Sequence, residues 1–116
     1  MSFTVNDEKQ YPADAQAVYQ AALAAIAGLE GKVLSQDVSA GVVEARFDKK
    51  ILGKVLGDRT QMKVTISAPD EASSAVAVEI YPLNAVGQKL MFGARKGVSR
   101  TVANWFYAHL EHRLPK

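Results

Sequence analysis

Hydrophobic and polar residues alternate with a period of two through the middle of the chain and switch to a helical period near both ends. In residues 42–48, Val43, Ala45 and Phe47 share one face while Glu44 and Arg46 share the other. Residues 59–68 give the clearest alternation, with Met62, Val64, Ile66 and Ala68 against Gln61, Lys63, Thr65 and Ser67, and residues 74–81 repeat it with Val76, Val78 and Ile80. Successive side chains of a strand point to opposite faces, so each run predicts a strand with one buried and one solvated side. A short run at 32–38 and the alternating Phe3 and Val5 within 2–10 add two more strands. Ser39-Ala40-Gly41 and Pro69-Asp70-Glu71-Ala72 supply turns, and one polar face per strand predicts an antiparallel meander.

Two segments carry the helical period instead. Ala15, Val18, Ala22, Ala25, Ile26 and Leu29 recur at helix spacing after Pro12, which disfavours helix before it, and Asp14, an N-cap or first-turn acid. Gly28 and Gly31 close this helix, Gly31 being the candidate for the left-handed terminal position. So dense a run of alanines predicts close packing against a flat surface such as a sheet. From about 98 to 114, Val98, Val102, Trp105, Phe106, His109, Leu110 and Leu114 form a wide apolar stripe opposite Arg100, Asn104 and Glu111, with Ser99 as a cap and Pro115 as a stop. The expected fold is α+β: one domain over residues 1–116, an antiparallel meander sheet with an N-proximal helix and a long C-terminal helix, in the order β-α-β-β-β-β-α.

That order resembles the helix-grip and TATA-box-binding-protein-like group of folds, in which helices cross a curved antiparallel sheet. The chain is similar to a small bacterial member, shorter than the pollen-allergen and START-type proteins with their extra strands. The resemblance rests on element order over most of the chain and on no signature motif. It implies an apolar cavity between the sheet and the C-terminal helix, and it implies no catalytic residues. Fold analogy alone is a weak warrant for function.

At 116 residues the chain is long enough to bury a real core. A net charge of +2 is too small to imply nucleic acid, and the polar strand faces lack interleaved aromatics. The absence of cysteine excludes disulfides and thiolate metal sites and fits a reducing compartment. The N-terminal residues lack the basic and apolar regions of a secretory leader, and no run approaches the roughly 18 apolar residues of a membrane span. The expected location is cytoplasmic.

Two segments stand out as sites. Residues 48–59 place Ile51, Leu52, Val55 and Leu56 among Lys49, Lys50 and Lys54 where a hairpin is usually polar. As a short helix the four apolar residues would share a face. The readings are a loop folded onto the core, a subunit contact in a homodimer, or a membrane-surface element, because apolar patches rimmed by lysine mark such surfaces. Residues 80–110 contain no Asp or Glu but carry Lys89, Arg95, Lys96 and Arg100 around Gly93 and Gly97, before the final helix. Glycines and a helix N-terminus favour an anion, so Arg95, Lys96 and Arg100 are candidate contacts for an anionic ligand; the alternative is a solvated basic loop. The glycine spacing matches neither phosphate-loop nor dinucleotide fingerprints.

Ala85, Val86, Leu90, Met91 and Phe92 form either a short helix or a last strand, and with Trp105 and Phe106 they supply a core or an apolar pocket. His109 and His112 stand three apart, but no third ligand is suggested by spacing, so no metal or other cofactor is expected. There is no nucleophile elbow and no carboxylate pair spaced for acid–base work. The leading expectation is a non-enzymatic module holding a small apolar or amphipathic ligand between sheet and last helix, near Met91, Arg95, Lys96, Arg100, Trp105 and Phe106. The alternative is an interaction or self-association domain that uses Ile51, Leu52, Val55 and Leu56.

Overall fold

The alternating runs pair into one antiparallel sheet because their inward apolar faces are buried together in a common core. A computed structural model describes residues 4–56, 58–84, 86–89 and 97–114. The elements are β1 (Val5–Tyr11), α1 (Ala15–Gly28), β2 (Lys32–Asp37), β3 (Val42–Phe47), β4 (Lys50–Ile51), β5 (Lys54–Val55), β6 (Arg59–Asp70), β7 (Ser73–Leu83) and α2 (Val98–Arg113). The sheet runs β1-β7-β6-β3-β2, and β4 and β5 form a separate hairpin between β3 and β6 that the alternation did not reveal.

Register sorts the side chains. Ala45, Met62, Ile80 and Val5 lie in one row across β3, β6, β7 and β1 on the helix side. The next row, Glu44, Lys63, Glu79 and Asn6, faces outward with alternating charge. Opposite charges facing each other across strands each contribute up to about 1 kcal/mol, while each large side chain buried in the inner row contributes about 1.5–3 kcal/mol. The inner face is therefore what holds the fold. Phe47, Met62, Val64 and Ile80 are fully buried there beneath Val18, Ala22 and Ile26 of α1 and Val102, Phe106 and Leu110 of α2.

α1 begins where expected, with the Asp14 carboxylate accepting the Ala17 N–H at 2.8 Å. Its end differs from expectation. Gly31 N–H donates to the Ile26 carbonyl and Glu30 N–H to the Ala27 carbonyl, a Schellman closure whose left-handed residue is Glu30 at φ 63°. Gly31 is needed for space instead: a Cβ there would stand 2.5 Å from Phe47 Cε1 and 2.8 Å from Ile26 Cγ2.

β1 is mostly polar, and its contacts with α2 explain why. Asp7 takes the Arg100 guanidinium at 2.9 Å, Lys9 lies over the Tyr107 ring and 3.6 Å from Glu111, and the Tyr11 hydroxyl donates to Glu111 at 2.7 Å. Polar side chains on this edge strand thus hold the helix along its length. Ser99 is not the cap of α2; Gly97, at φ 93°, occupies that position, and the Ser99 hydroxyl is buried in the first turn. Among the described residues, no helix is long and apolar enough to cross a membrane.

Candidate functional site

A hollow is built by the start of α1, the β2–β3 turn and β6. Gly41 ends the β2–β3 turn at φ 71°, and its carbonyl accepts the Ile66 N–H at 2.7 Å, which fixes the turn to β6. α1 is anchored at the same end of the sheet. The Ser74 hydroxyl donates to the Ala13 carbonyl at 2.7 Å, and the Tyr19 hydroxyl donates to the Val42 carbonyl at 3.3 Å. Between these anchors the facing residues are small (Ala15, Ala40, Gly41 and Ala68), so the gap is not filled. A cleft of about 460 Å³ remains, walled by Ile66, Val38 and the Tyr19 ring and edged by Gln16, Gln20 and Ser39.

The cleft's chemistry follows from that lining. Among the described residues its lining has no ionised side chain, so it offers apolar surface together with amide and hydroxyl groups. Burial, with the nearby Asp37 charge adding to it, raises the Tyr19 phenol above its ordinary pKa, so this group stays a neutral donor. A second hollow of about 500 Å³ lies on the outer face of β1, β7 and β6. It is an open dish lined by Asn6, Glu8, Lys63, Thr65 and Glu79, whose carboxylates and ammonium are solvated.

The residues singled out from sequence are dispersed. Arg95, Lys96 and Met91 lie outside the described residues, as do Leu90, Phe92 and Gly93. Arg100 is directed to Asp7, and Lys89 lies over the Tyr81 ring at 4.9 Å. Phe106 is fully buried in the core and Trp105 is half-buried against it. Val86 is exposed in a turn organised by Asn84, whose side-chain oxygen accepts the N–H groups of Val86 and Gln88.

The apolar segment 51–56 is a hairpin rather than a helix, and this splits the four residues. Ile51 is buried and Leu56 half-buried, whereas Leu52 and Val55 are 57 % and 69 % exposed. A two-residue turn at Leu52-Gly53, both at positive φ, has the twist that two short strands need, which is why the helical alternative loses.

His109 is half-buried, with Nδ1 3.3 Å from an Arg113 nitrogen, and its pKa is lowered by burial first and then by the Arg113 and His112 charges. No group of three potential ligands gathers around it or elsewhere among the described residues. Tyr19, Ser39 and the alanines of the cleft were missed by sequence reasoning. The available signal is the density of small residues at 13–27, which by itself predicts close packing.

Neither protein-family models nor curated protein sequences match the chain. Solved structures do resemble it. Ara h 8.0201 aligns with a TM-score of 0.62 at 10 % identity, over 95 % of this chain and 96 % of that one. The di-domain ARO/CYC protein StfQ of the steffimycin biosynthetic pathway aligns with a TM-score of 0.57 at 13 % identity. There the match covers 93 % of this chain but 42 % of the larger protein. At such identities the likeness bears on the fold alone, and that fold is the helix-grip arrangement. The TATA-box-binding side of the expected resemblance finds no support.

Proposed function

We propose that this chain is a binding module that takes up a small, uncharged, mainly apolar molecule in the cleft between α1 and the β2–β3 turn. The observation that carries the reading is the cleft itself: about 460 Å³ of hollow whose described walls mix apolar side chains with uncharged polar groups. Ligand sites generally combine a volume of about 300–1,000 Å³ with mostly apolar walls and a few placed polar groups. The helix-grip likeness agrees with a sheet-and-helix scaffold for holding a molecule. The cleft lies on the α1 side, away from the α2 stripe, where Val102, Phe106 and Leu110 are taken up by the core.

Among the described residues the lining holds no carboxylate, histidine or lysine, which favours binding over turnover. A neutral fluorescent probe such as Nile red should bind wild-type protein and be displaced by apolar competitors. Ala15→Phe, which fills the cleft from α1, should weaken probe binding by about tenfold or more while far-ultraviolet circular dichroism stays unchanged. Probe affinity indifferent to that substitution, or no binding at all, would reject the reading.

A second reading, an interaction module, is favoured by the exposed Leu52 and Val55 on the β4–β5 hairpin, with Ile51 and Leu56 as its inward anchors. If that reading holds, Leu52→Asp abolishes association with a protein partner and leaves probe binding intact.

A further inference from the structure

We propose that β2 is a self-pairing edge, along which two copies of this chain join antiparallel into one continuous sheet. Among the described residues the strand pairs only with β3 and nothing pairs with its far side, and all six of its residues are exposed. Its neighbours are not: Val43 and Ala45 on β3 are fully buried, so the helical layer stops short of β2. Val33 and Leu34 in the strand and Val38 just after it are exposed large hydrophobic residues. The opposite edge differs. β1 is bound to α2 through Asp7, Lys9 and Tyr11 and has no exposed large hydrophobic residue among the described residues.

Charge and register identify a second copy as the occupant. In a two-fold pair centred between Leu34 and Ser35, Lys32 of each copy lies opposite Asp37 of the other. Residues facing each other across such an axis must point to the same side of the sheet. In a regular strand, positions five apart point to opposite sides. Here the register shift between Val33 and Ser35 removes that conflict. Lys32 pairs with Arg46 and Asp37 with Val42, so both lie on the outer face, while Val33 and Gln36 lie opposite Ala45 and Val43 on the inner face.

Among the described residues neither Lys32 nor Asp37 makes an ion pair, and Lys32 sits beside the like charge of Arg46. Like charges facing across strands are unfavourable, and Asp37 of a second copy offsets this one. A six-residue ladder falls short of the roughly 800 Å² per partner of a stable interface, so the dimer is a reversible one.

Sedimentation velocity of the full chain over a wide concentration range tests this. Wild-type protein should shift from monomer to dimer. Lys32→Asp places like charges at both ends of the ladder and should weaken dimerisation by about tenfold or more. The double exchange Lys32→Asp with Asp37→Lys restores complementarity and should recover it. Circular dichroism and urea midpoints check that each variant folds. A wild-type monomer at the highest concentration overturns the proposal, as does a double exchange that behaves like the single one.

Discussion

The side chain of Glu30 accepts the backbone N–H of Leu52 at 2.7 Å, and among the described residues these are the two non-glycine positions with left-handed backbone, at φ 63° and 50°. One closes α1 and the other turns the β4–β5 hairpin, 22 positions later. A left-handed residue with a Cβ costs about 1–2 kcal/mol, so each is held by its surroundings rather than by its own preference. Their hydrogen bond ties the hairpin to the helix end.

The hairpin turn favours Asn-Gly over the Leu-Gly found here. Leu52→Asn should therefore stabilise the protein by about 1 kcal/mol, read as a higher urea midpoint with an unchanged slope. Glu30→Ala removes the acceptor and should cost about 1 kcal/mol. If Leu52→Asn brings no gain, the turn is not strained.

Gly41 is required twice over. Its φ of 71° disfavours any side chain, and a Cβ would meet the Ile66 carbonyl oxygen, backbone that cannot swing away. Gly41→Ala should cost about 2 kcal/mol or more and open the cleft's outer wall, lowering probe affinity along with the thermal midpoint.

Gly31 tests packing rather than backbone freedom. Gly31→Ala pushes a methyl into the Phe47 ring and should cost about 1–3 kcal/mol. The paired change Phe47→Leu should make the two losses non-additive, because the smaller side chain frees the space the methyl needs. Simple additivity in denaturation of the four proteins would show that the contact is absent in solution.

All four tyrosines have phenols raised above their ordinary pKa near 10. Burial is the leading cause in each, and Tyr11 also donates to the Glu111 carboxylate. A group whose pKa is higher in the fold than in the unfolded chain contributes stability that is whole below the unfolded value and declines as the pH rises above it. Unfolding free energy should thus hold between pH 8 and about pH 10 and fall beyond, with tyrosinate absorbance at 295 nm appearing together with unfolding. Tyrosinate absorbance near pH 10 in protein that stays folded would contradict the burial of these groups.

Much of this fold was written in local patterning. Alternation in residues 42–48 and 59–67 sorted inward from outward side chains, because a strand's faces are set by parity, whereas in 74–81 the outward positions Ala75, Ala77 and Tyr81 are also apolar and Ala75 is buried. The Asp14 cap and the stripe of Val102, Phe106 and Leu110 likewise follow from helix geometry and needed no knowledge of neighbours. What only the tertiary structure decided were the relations between distant segments. Gly31 is required by the approach of Phe47, Glu30 is held left-handed while bonded to Leu52, and 51–56 turns as a hairpin. The cleft exists because Ala15, Ala40 and Ala68, far apart along the chain, face one another without filling the gap. Parity and propensity act over a few residues, whereas unfilled space, close approach and an open sheet edge belong to pairs of segments that meet only on folding.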